Sequence, residues 1–385
     1  MKKILIIMTN MECGGVQVSM LNFLNELHKY DVDITLLLDL QEGEWIERIP
    51  PWVHVETVNY SNEGFHKLIW PSRKISVIQD LIYHIVVHTY KLFVRRNILR
   101  NDRFTFLLNK ISDVEELYDV AIDYHGYGFI TTSILVNKVK ANKKIVFIHD
   151  EKMDCLDNVI EDLPQIDLFC GVSKSCVRIF SEKFPEFSER TVFFPNYVDV
   201  ENIIRMANMP CELKLSKDTK IFITVGRVMW QKGYEMAVEI ARKLKEKGIK
   251  FQWYCLGEGD SMPQIKKLIQ CNNVEDCFHM LGRKDNPYPY MKMADLYIQP
   301  SRHEGFGLAV AEALILGRVV VATDIECIAE QITNNYNGKL VPYNCDEFVK
   351  AIMQLLEDDN LYKKIKDNCC VLRESKKTEI AEFII

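Results

Sequence analysis

Residues 299–323, QPSRHEGFGLAVAEALILGRVVVAT, decide how this chain is organised. The pattern predicts a strand end, a loop, a helix and another strand. Glu304 is followed at once by Gly305, Phe306 and Gly307, and the two glycines let backbone N–H groups approach a ligand with no Cβ in the way. A helix opening near Gly307 aims unpaired N–H groups and a positive dipole end at that ligand, which favours an anionic group such as a phosphate. Glu312 lies about a turn further in, on a helix whose other face (Leu308, Ala311, Leu314, Ile315) is apolar. Either acid alone reads first as a solvated residue of a helix surface. Two acids beside an anion site make electrostatic sense if they accept hydrogen bonds from neutral hydroxyls, as carboxylates do from sugars, so the pair implies a nucleotide sugar.

A second group lies upstream. Residues 220–225 read as an apolar strand ending in Gly226-Arg227, and a helix is expected from Lys232 to 247, giving G-R-x(4)-K-G. Fixed cations beside a nucleoside diphosphate stabilise it most as the glycosidic bond breaks, when the leaving group gains charge. Solvated strand and helix ends are the plain alternative. Residues 251–256 form the next expected strand, followed by Gly257-Glu258-Gly259, but Met262 stands where a dinucleotide fingerprint needs a third glycine. The expected strand 278–281 runs into Gly282-Arg283, a short helix is expected over 287–293, and 325–332 reads as helical.

The N-terminal half repeats the strand-loop-helix rhythm. Residues 4–8 read as a buried strand; their apolar run is broken by Thr9 and Asn10 and is too short for a signal peptide. Gly14-Gly15 precede an amphipathic pattern at Val16, Met20, Phe23, Leu24 and Leu27. A glycine pair there serves a tight turn or a ligand. Further strands are expected over 34–38, 53–58, 118–123, 144–148 and 168–172, with a helix over 129–139 and Ser173 as a helix N-cap. His149 follows the strand at 144–148, at the end where open α/β sheets bind ligands. Asp31-Val32-Asp33 matches a metal-holding D-x-D but sits between helix and strand patterns, which reads as a turn.

At 385 residues the chain exceeds the size at which one core stops growing, so two domains are expected. Its 48% apolar and 26% charged residues fit a soluble globular protein, and a net charge of −6 argues against nucleic-acid binding. Twelve cysteines without a C-x-x-C pair suggest neither a zinc site nor a disulfide framework, and fit a reducing cytoplasm. Residues 64–110 depart from this composition: nine basic residues against two acids, interleaved with apolar and aromatic ones. That pattern suits helices lying on an anionic membrane surface, or a solvated helical hairpin; the charges rule out a transmembrane span.

Pro300-Ser301, the E-x(7)-E from Glu304 to Glu312, Gly317 before VVVAT, and the earlier VGRVMWQKG together resemble the signature of retaining glycosyltransferases of family 4, polysaccharide-biosynthesis type. The likeness runs from Gly14-Gly15 to Val341. It implies the GT-B fold, α/β with two Rossmann-like doubly wound domains facing a central cleft. The expected domains are 1–198 on the acceptor side, with the insertion 64–110; 199–364 for the nucleotide sugar; and 365–385 as a helix crossing back. Carried over residue by residue, the likeness implies that Glu304 takes the sugar's 3- and 4-hydroxyls and Glu312 the ribose. Arg227 and Lys232 take the diphosphate, and His149 lies near the anomeric centre. Gly14, Gly15, Gly226, Gly257, Arg283, Gly305, Phe306, Gly307 and Leu308 then line the donor site. No metal and no cofactor are expected beyond the nucleotide diphosphate sugar itself. The expected acceptor is a glycan, lipid-linked, at the inner face of the cell membrane, as in capsule, exopolysaccharide or teichoic-acid assembly. A non-hydrolysing sugar-nucleotide epimerase and a non-catalytic partner subunit are the alternatives on the same fold.

Overall fold

A computed structural model describes residues 1–60, 108–213, 219–369 and Ile384. These residues belong to two compact units, one formed by Met1–Val172, Cys176–Phe194 and Ile384, the other by Ser173–Ser175 and the chain from Pro195 to Cys369. Of the basic stretch 64–110, all but the last three residues lie outside the described residues, as does the chain after 369 except Ile384, on which the expected crossing helix falls.

The first unit runs β1 (Lys2–Met8), α1 (Gly15–Leu27), β2 (Val32–Leu38), β3 (His54–Thr57), β4 (Val114–Asp123), α2 (Ile130–Asn137), β5 (Val139–Ile148), β6 (Leu168–Gly171), α3 (Lys174–Lys183) and β7 (Thr191–Phe193). Its sheet is parallel, in the order β3-β2-β1-β4-β5-β6-β7. A parallel strand is covered on both faces and so reads as an unbroken apolar run, which is why Ile4, Leu5, Ile6, Ile7 and Met8 are all fully buried. The expected buried first strand is therefore β1. Asp33 lies within β2, not in a turn, because the strand begins at Val32. Asp31 just before it pairs with the N-terminal amine at 2.9 Å.

The second unit continues with α4 (Val200–Ala207), β8 (Lys220–Val225), α5 (Tyr234–Glu246), β9 (Phe251–Leu256), α6 (Met262–Cys271), β10 (Phe278–Gly282), α7 (Tyr288–Met293), β11 (Leu296–Gln299), α8 (Leu308–Ile315), β12 (Val319–Thr323), α9 (Glu326–Ala329), β13 (Lys339–Val341), α10 (Cys345–Glu357) and α11 (Asp359–Asn368). This sheet is also parallel, ordered β10-β9-β8-β11-β12-β13. Both sheets share one property: chain order reverses beside the first strand of the unit, between β1 and β4 and between β8 and β11. Open parallel sheets bind ligands outside the strands' carboxyl ends at such reversals. The loops after β1, β4, β8 and β11 are thus the places where function is expected.

Five elements differ from the sequence reading. Lys232 does not start a helix; it closes a 3-10 turn, Trp230–Lys232, and α5 begins only after Gly233, whose φ of 67° breaks the path between them. The helix expected over 325–332 is the single turn α9, since the chain then bends into the Asn335-centred turn before β13. β7, α4 and α6 are additional elements, short or weakly apolar. Among the described residues no helix is long and apolar enough to cross a membrane, and the eleven described cysteines are free thiols.

Candidate functional site

The loop after β8 and the loop after β11 meet through charged side chains. Lys232 Nζ donates to both oxygens of Glu304, at 2.7 and 2.6 Å, and Glu304 is only 6% exposed. A buried carboxylate is costly without partners. Here Ser301 Oγ adds a donation at 2.7 Å, while the Gln299 amide reaches Ser301 Oγ at 2.8 Å and accepts from the buried Tyr297 hydroxyl at 2.7 Å. A chain of buried hydrogen bonds therefore runs from β11 to the tip of the loop and fixes the Glu304 carboxylate from beneath. The backbone ties the same loops, with Arg302 N–H on the Gln231 carbonyl at 2.8 Å and the Gln231 amide on the His303 carbonyl at 3.1 Å. Arg302 itself pairs with Glu235 at 2.9 Å and lies 4.5 Å from the centre of the Trp230 ring and 5.1 Å from that of Tyr343.

Glu312 sits in the middle of α8, 7% exposed, and accepts from the Tyr288 hydroxyl at 3.0 Å. Burial pushes its carboxyl up to about 7, against the opposing effect of that hydrogen bond. The buried Tyr297 phenol is raised first by burial, with smaller contributions from the negative charges of both Glu312 and Glu304. Arg227, just after β8, is exposed and makes no side-chain hydrogen bond or ion pair among the described residues. Its neighbour Gly226 lets the Lys232 stem pass, at 3.6 Å from where a Cβ would stand.

The remaining residues expected at the donor site take up loop positions. At Gly257, φ is 147° and a Cβ would overlap the Gly226 carbonyl, so the loops after β8 and β9 touch backbone to backbone. Gly307 holds φ 82° and opens α8 without a side-chain cap. Gly305 is buried; Phe306, whose carbonyl accepts from the Gln331 amide, and Leu308 are half-buried, as is Arg283 after β10. Glu304, Lys232 and Gly226 are thus drawn together, with Glu312 one helix turn beyond. Arg227 follows Gly226 and has no ion pair among the described residues, and Arg283 follows the strand at the sheet's edge.

In the first unit His149 follows β5 and is 5% exposed. Its Nε2 lies 2.6 Å from the Tyr124 carbonyl, which can only accept, so Nε2 carries the proton and Nδ1 is left as an acceptor. Burial lowers its pKa to about 4, more than that hydrogen bond and Asp150 raise it, and the ring is neutral at neutral pH. Gly14, at φ −167° and ψ 166°, is extended backbone that any residue adopts, and Gly15 starts α1. The glycine pair therefore serves no left-handed turn. Sequence reasoning missed Gln299, Tyr297 and Tyr288. Gln299 carried a faint signal, as a polar residue ending a buried strand just before the motif; the tyrosines read as core.

Comparison with known proteins places this arrangement. Residues 192–369 match the family of glycosyl transferases group 1. An uncharacterized glycosyltransferase of Methanocaldococcus jannaschii is 23% identical over 335 residues, 78% of this chain and 76% of that one. The poly(ribitol-phosphate) alpha-N-acetylglucosaminyltransferase of Staphylococcus aureus is 24% identical over 326 residues, 68% of this chain and 66% of that one. Among solved structures, a mutant of S. aureus TarM in complex with fondaparinux, alpha-GlcNAc-glycerol and UDP superposes with a TM-score of 0.71 at 17% identity, over 99% of this chain and 98% of that one. The fold is GT-B.

Proposed function

We propose that this glycosyltransferase moves a hexose or N-acetylhexosamine from a nucleotide diphosphate sugar, a UDP-sugar first among them, to a hydroxyl of a glycan acceptor, with the anomeric configuration retained. The observation that carries the reading is the ion pair of Lys232 with Glu304 at the strand-order reversal of the second sheet. It holds a cation and a hydroxyl-accepting carboxylate side by side, the two functions a sugar diphosphate needs. On this reading the incoming diphosphate competes with Glu304 for the Lys232 ammonium and recruits the neighbouring Arg227. The Glu304 carboxylate is then released to accept from the sugar's hydroxyls, backed by N–H groups at the start of α8. Glu312 takes the ribose hydroxyls. The two cations neutralise charge on the departing diphosphate, whose oxygen takes the acceptor's proton, so the reaction calls for neither a metal nor a side-chain nucleophile.

The named relative is a poly(ribitol-phosphate) alpha-N-acetylglucosaminyltransferase and the solved neighbour was crystallised with UDP, which supports a UDP-sugar donor and a polymeric, hydroxyl-bearing acceptor. The basic, apolar-rich stretch 64–110 supports a lipid-linked acceptor met at the cytoplasmic face of the membrane. The test is a screen of nucleotide sugars for release of free nucleotide, with and without EDTA, followed by NMR of the product's anomeric coupling. Release of UDP with an α-linked product from an α-donor, undiminished by EDTA, is expected. Conversion of donor to an isomer without acceptor would replace the proposal with an epimerase, and absence of heat on titrating UDP would replace it with a non-catalytic partner.

A further inference from the structure

The loop after β4, His125-Gly126-Tyr127-Gly128-Phe129, has no part in the donor chemistry, yet it stands at the strand-order reversal of the first sheet. It alternates rings with glycines. Gly126 and Gly128 take φ of 76° and 66°, and a Cβ on either would overlap a backbone carbonyl, of Phe147 and of Cys155 respectively. Side chains are thus excluded from the inner positions, and the three rings are left half-buried. They form a cluster: His125 lies 5.6 Å from Tyr127 and 5.3 Å from Phe129, centre to centre, and Tyr127 lies 6.0 Å from Phe129. His149 joins it, 6.2 Å from Tyr127.

The loop is also held at both ends. The fully buried Asp123 accepts from the Gly126 N–H at 3.1 Å and from the Thr132 hydroxyl at 2.6 Å, which brackets the rings between two anchors on one carboxyl. A loop fixed in this way has lost its conformational entropy on folding, so a ligand does not have to supply it. The loop itself has no acid, lysine or arginine, His149 is neutral, and the buried Thr9 hydroxyl at the end of β1 has no partner among the described residues, while the Thr9 N–H faces His125 Nδ1 at 3.4 Å.

We propose that this loop is the platform on which one pyranose ring of the acceptor lies, its C–H face against Tyr127 and Phe129 and its hydroxyls toward the polar groups around Thr9 and His149. A neutral ring with an apolar face and a hydroxylated rim matches aromatic surfaces bordered by hydrogen-bonding groups. The assignment rests on the reading of the chain as a transferase acting on a glycan.

The test uses the full chain and saturation-transfer NMR with methyl glycosides of glucose, galactose, N-acetylglucosamine and N-acetylgalactosamine, alongside calorimetric titration of UDP. At least one methyl glycoside is expected to bind. Replacement of both rings, Tyr127→Leu with Phe129→Leu, is expected to weaken it about tenfold, the loss of two aromatic contacts. Tyr127→Phe keeps the ring and is expected to bind as the wild type does. Melting temperature and UDP affinity report whether the double variant folds. If no glycoside binds, if the double variant binds as well as the wild type, or if uridine takes the loop instead, the platform is overturned. A wild type that binds glycoside through these rings but no UDP would sink the donor reading and leave the platform standing.

Discussion

The ammonium of Lys232 lies within 2.7 Å of both oxygens of Glu304, although 72 residues separate the two in sequence. Neither residue is freely solvated: their side chains are 19% and 7% exposed. Removing one charge from a buried pair leaves the other uncompensated, which costs more than removing both. Lys232→Ala is therefore expected to lower stability to urea by about 3 kcal/mol and kcat/KM by about 100- to 1000-fold. The double variant Lys232→Met, Glu304→Gln is expected to recover most of the stability and none of the activity. If stability and activity return together in the double variant, the pair is structural and the proposed catalytic role falls.

The pH dependence of nucleotide binding is expected to follow Glu312. Its carboxyl titrates near 7 in the folded protein because burial penalises the charged form, against 4.5 ordinarily. If the ionised carboxylate accepts from the ribose, UDP affinity rises with pH through about 7, by up to about tenfold between pH 6 and 8. Glu312→Gln should make the profile flat. Stability moves the other way: the folded protein holds more protons than the unfolded chain between 4.5 and about 7, so stability falls as pH rises through that window. A calorimetric pH series on both proteins checks both signs, and a UDP affinity that stays level in the wild type would remove Glu312 from the ribose.

Much of this is legible in the sequence, for a physical reason. In a parallel sheet buried on both faces, each strand is a continuous apolar run, so 4–8, 220–225 and 319–323 announced themselves, and the polar residues that interrupt those runs mark strand ends where ligands bind. Glu304 and Lys232 both follow such strand ends. What stayed hidden depends on long-range contact. Nothing local says that Tyr288 reaches Glu312 across 24 residues, or that the polar end of β11 holds Glu304 from below. Likewise Gly14 and Gly257 look alike as letters, and only their backbone angles separate them.

That difference yields a prediction. Gly257 has φ 147° and its missing Cβ leaves room for the Gly226 carbonyl, so Gly257→Ala strains the backbone and separates the loops after β8 and β9. A loss of about 2 kcal/mol or more is expected. Gly14 is extended, at φ −167°, so Gly14→Ala brings no backbone strain and is expected to cost only the weaker N-cap, about 1 kcal/mol or less. If activity nevertheless falls in Gly14→Ala, the glycine is kept for close approach of substrate rather than for the turn. Equal melting temperatures for Gly257→Ala and wild type would refute the close packing of the two loops.

His149 supplies a further pH prediction, opposite in sign to that of Glu312. Its folded-state pKa of about 4 lies below the ordinary 6.5 because the ring is buried against Tyr124 and Phe147. The unfolded chain then binds the extra proton between those values, so the stability His149 contributes is complete above 6.5 and is lost as pH falls toward about 4. The total is about 3 kcal/mol, from about 1.36 kcal/mol per pKa unit. Glu312 pulls the other way over part of the same range, so the wild-type curve alone cannot separate them. Subtracting the curve of His149→Gln, which loses the titration but keeps a side-chain N–H for the Tyr124 carbonyl, isolates the histidine. A difference that grows steadily as pH drops from 6.5 to about 4 is expected; a level one would mean that the ring takes up its proton in the fold as readily as in the unfolded chain, and would remove the enforced neutral acceptor on which the platform around Tyr127 draws.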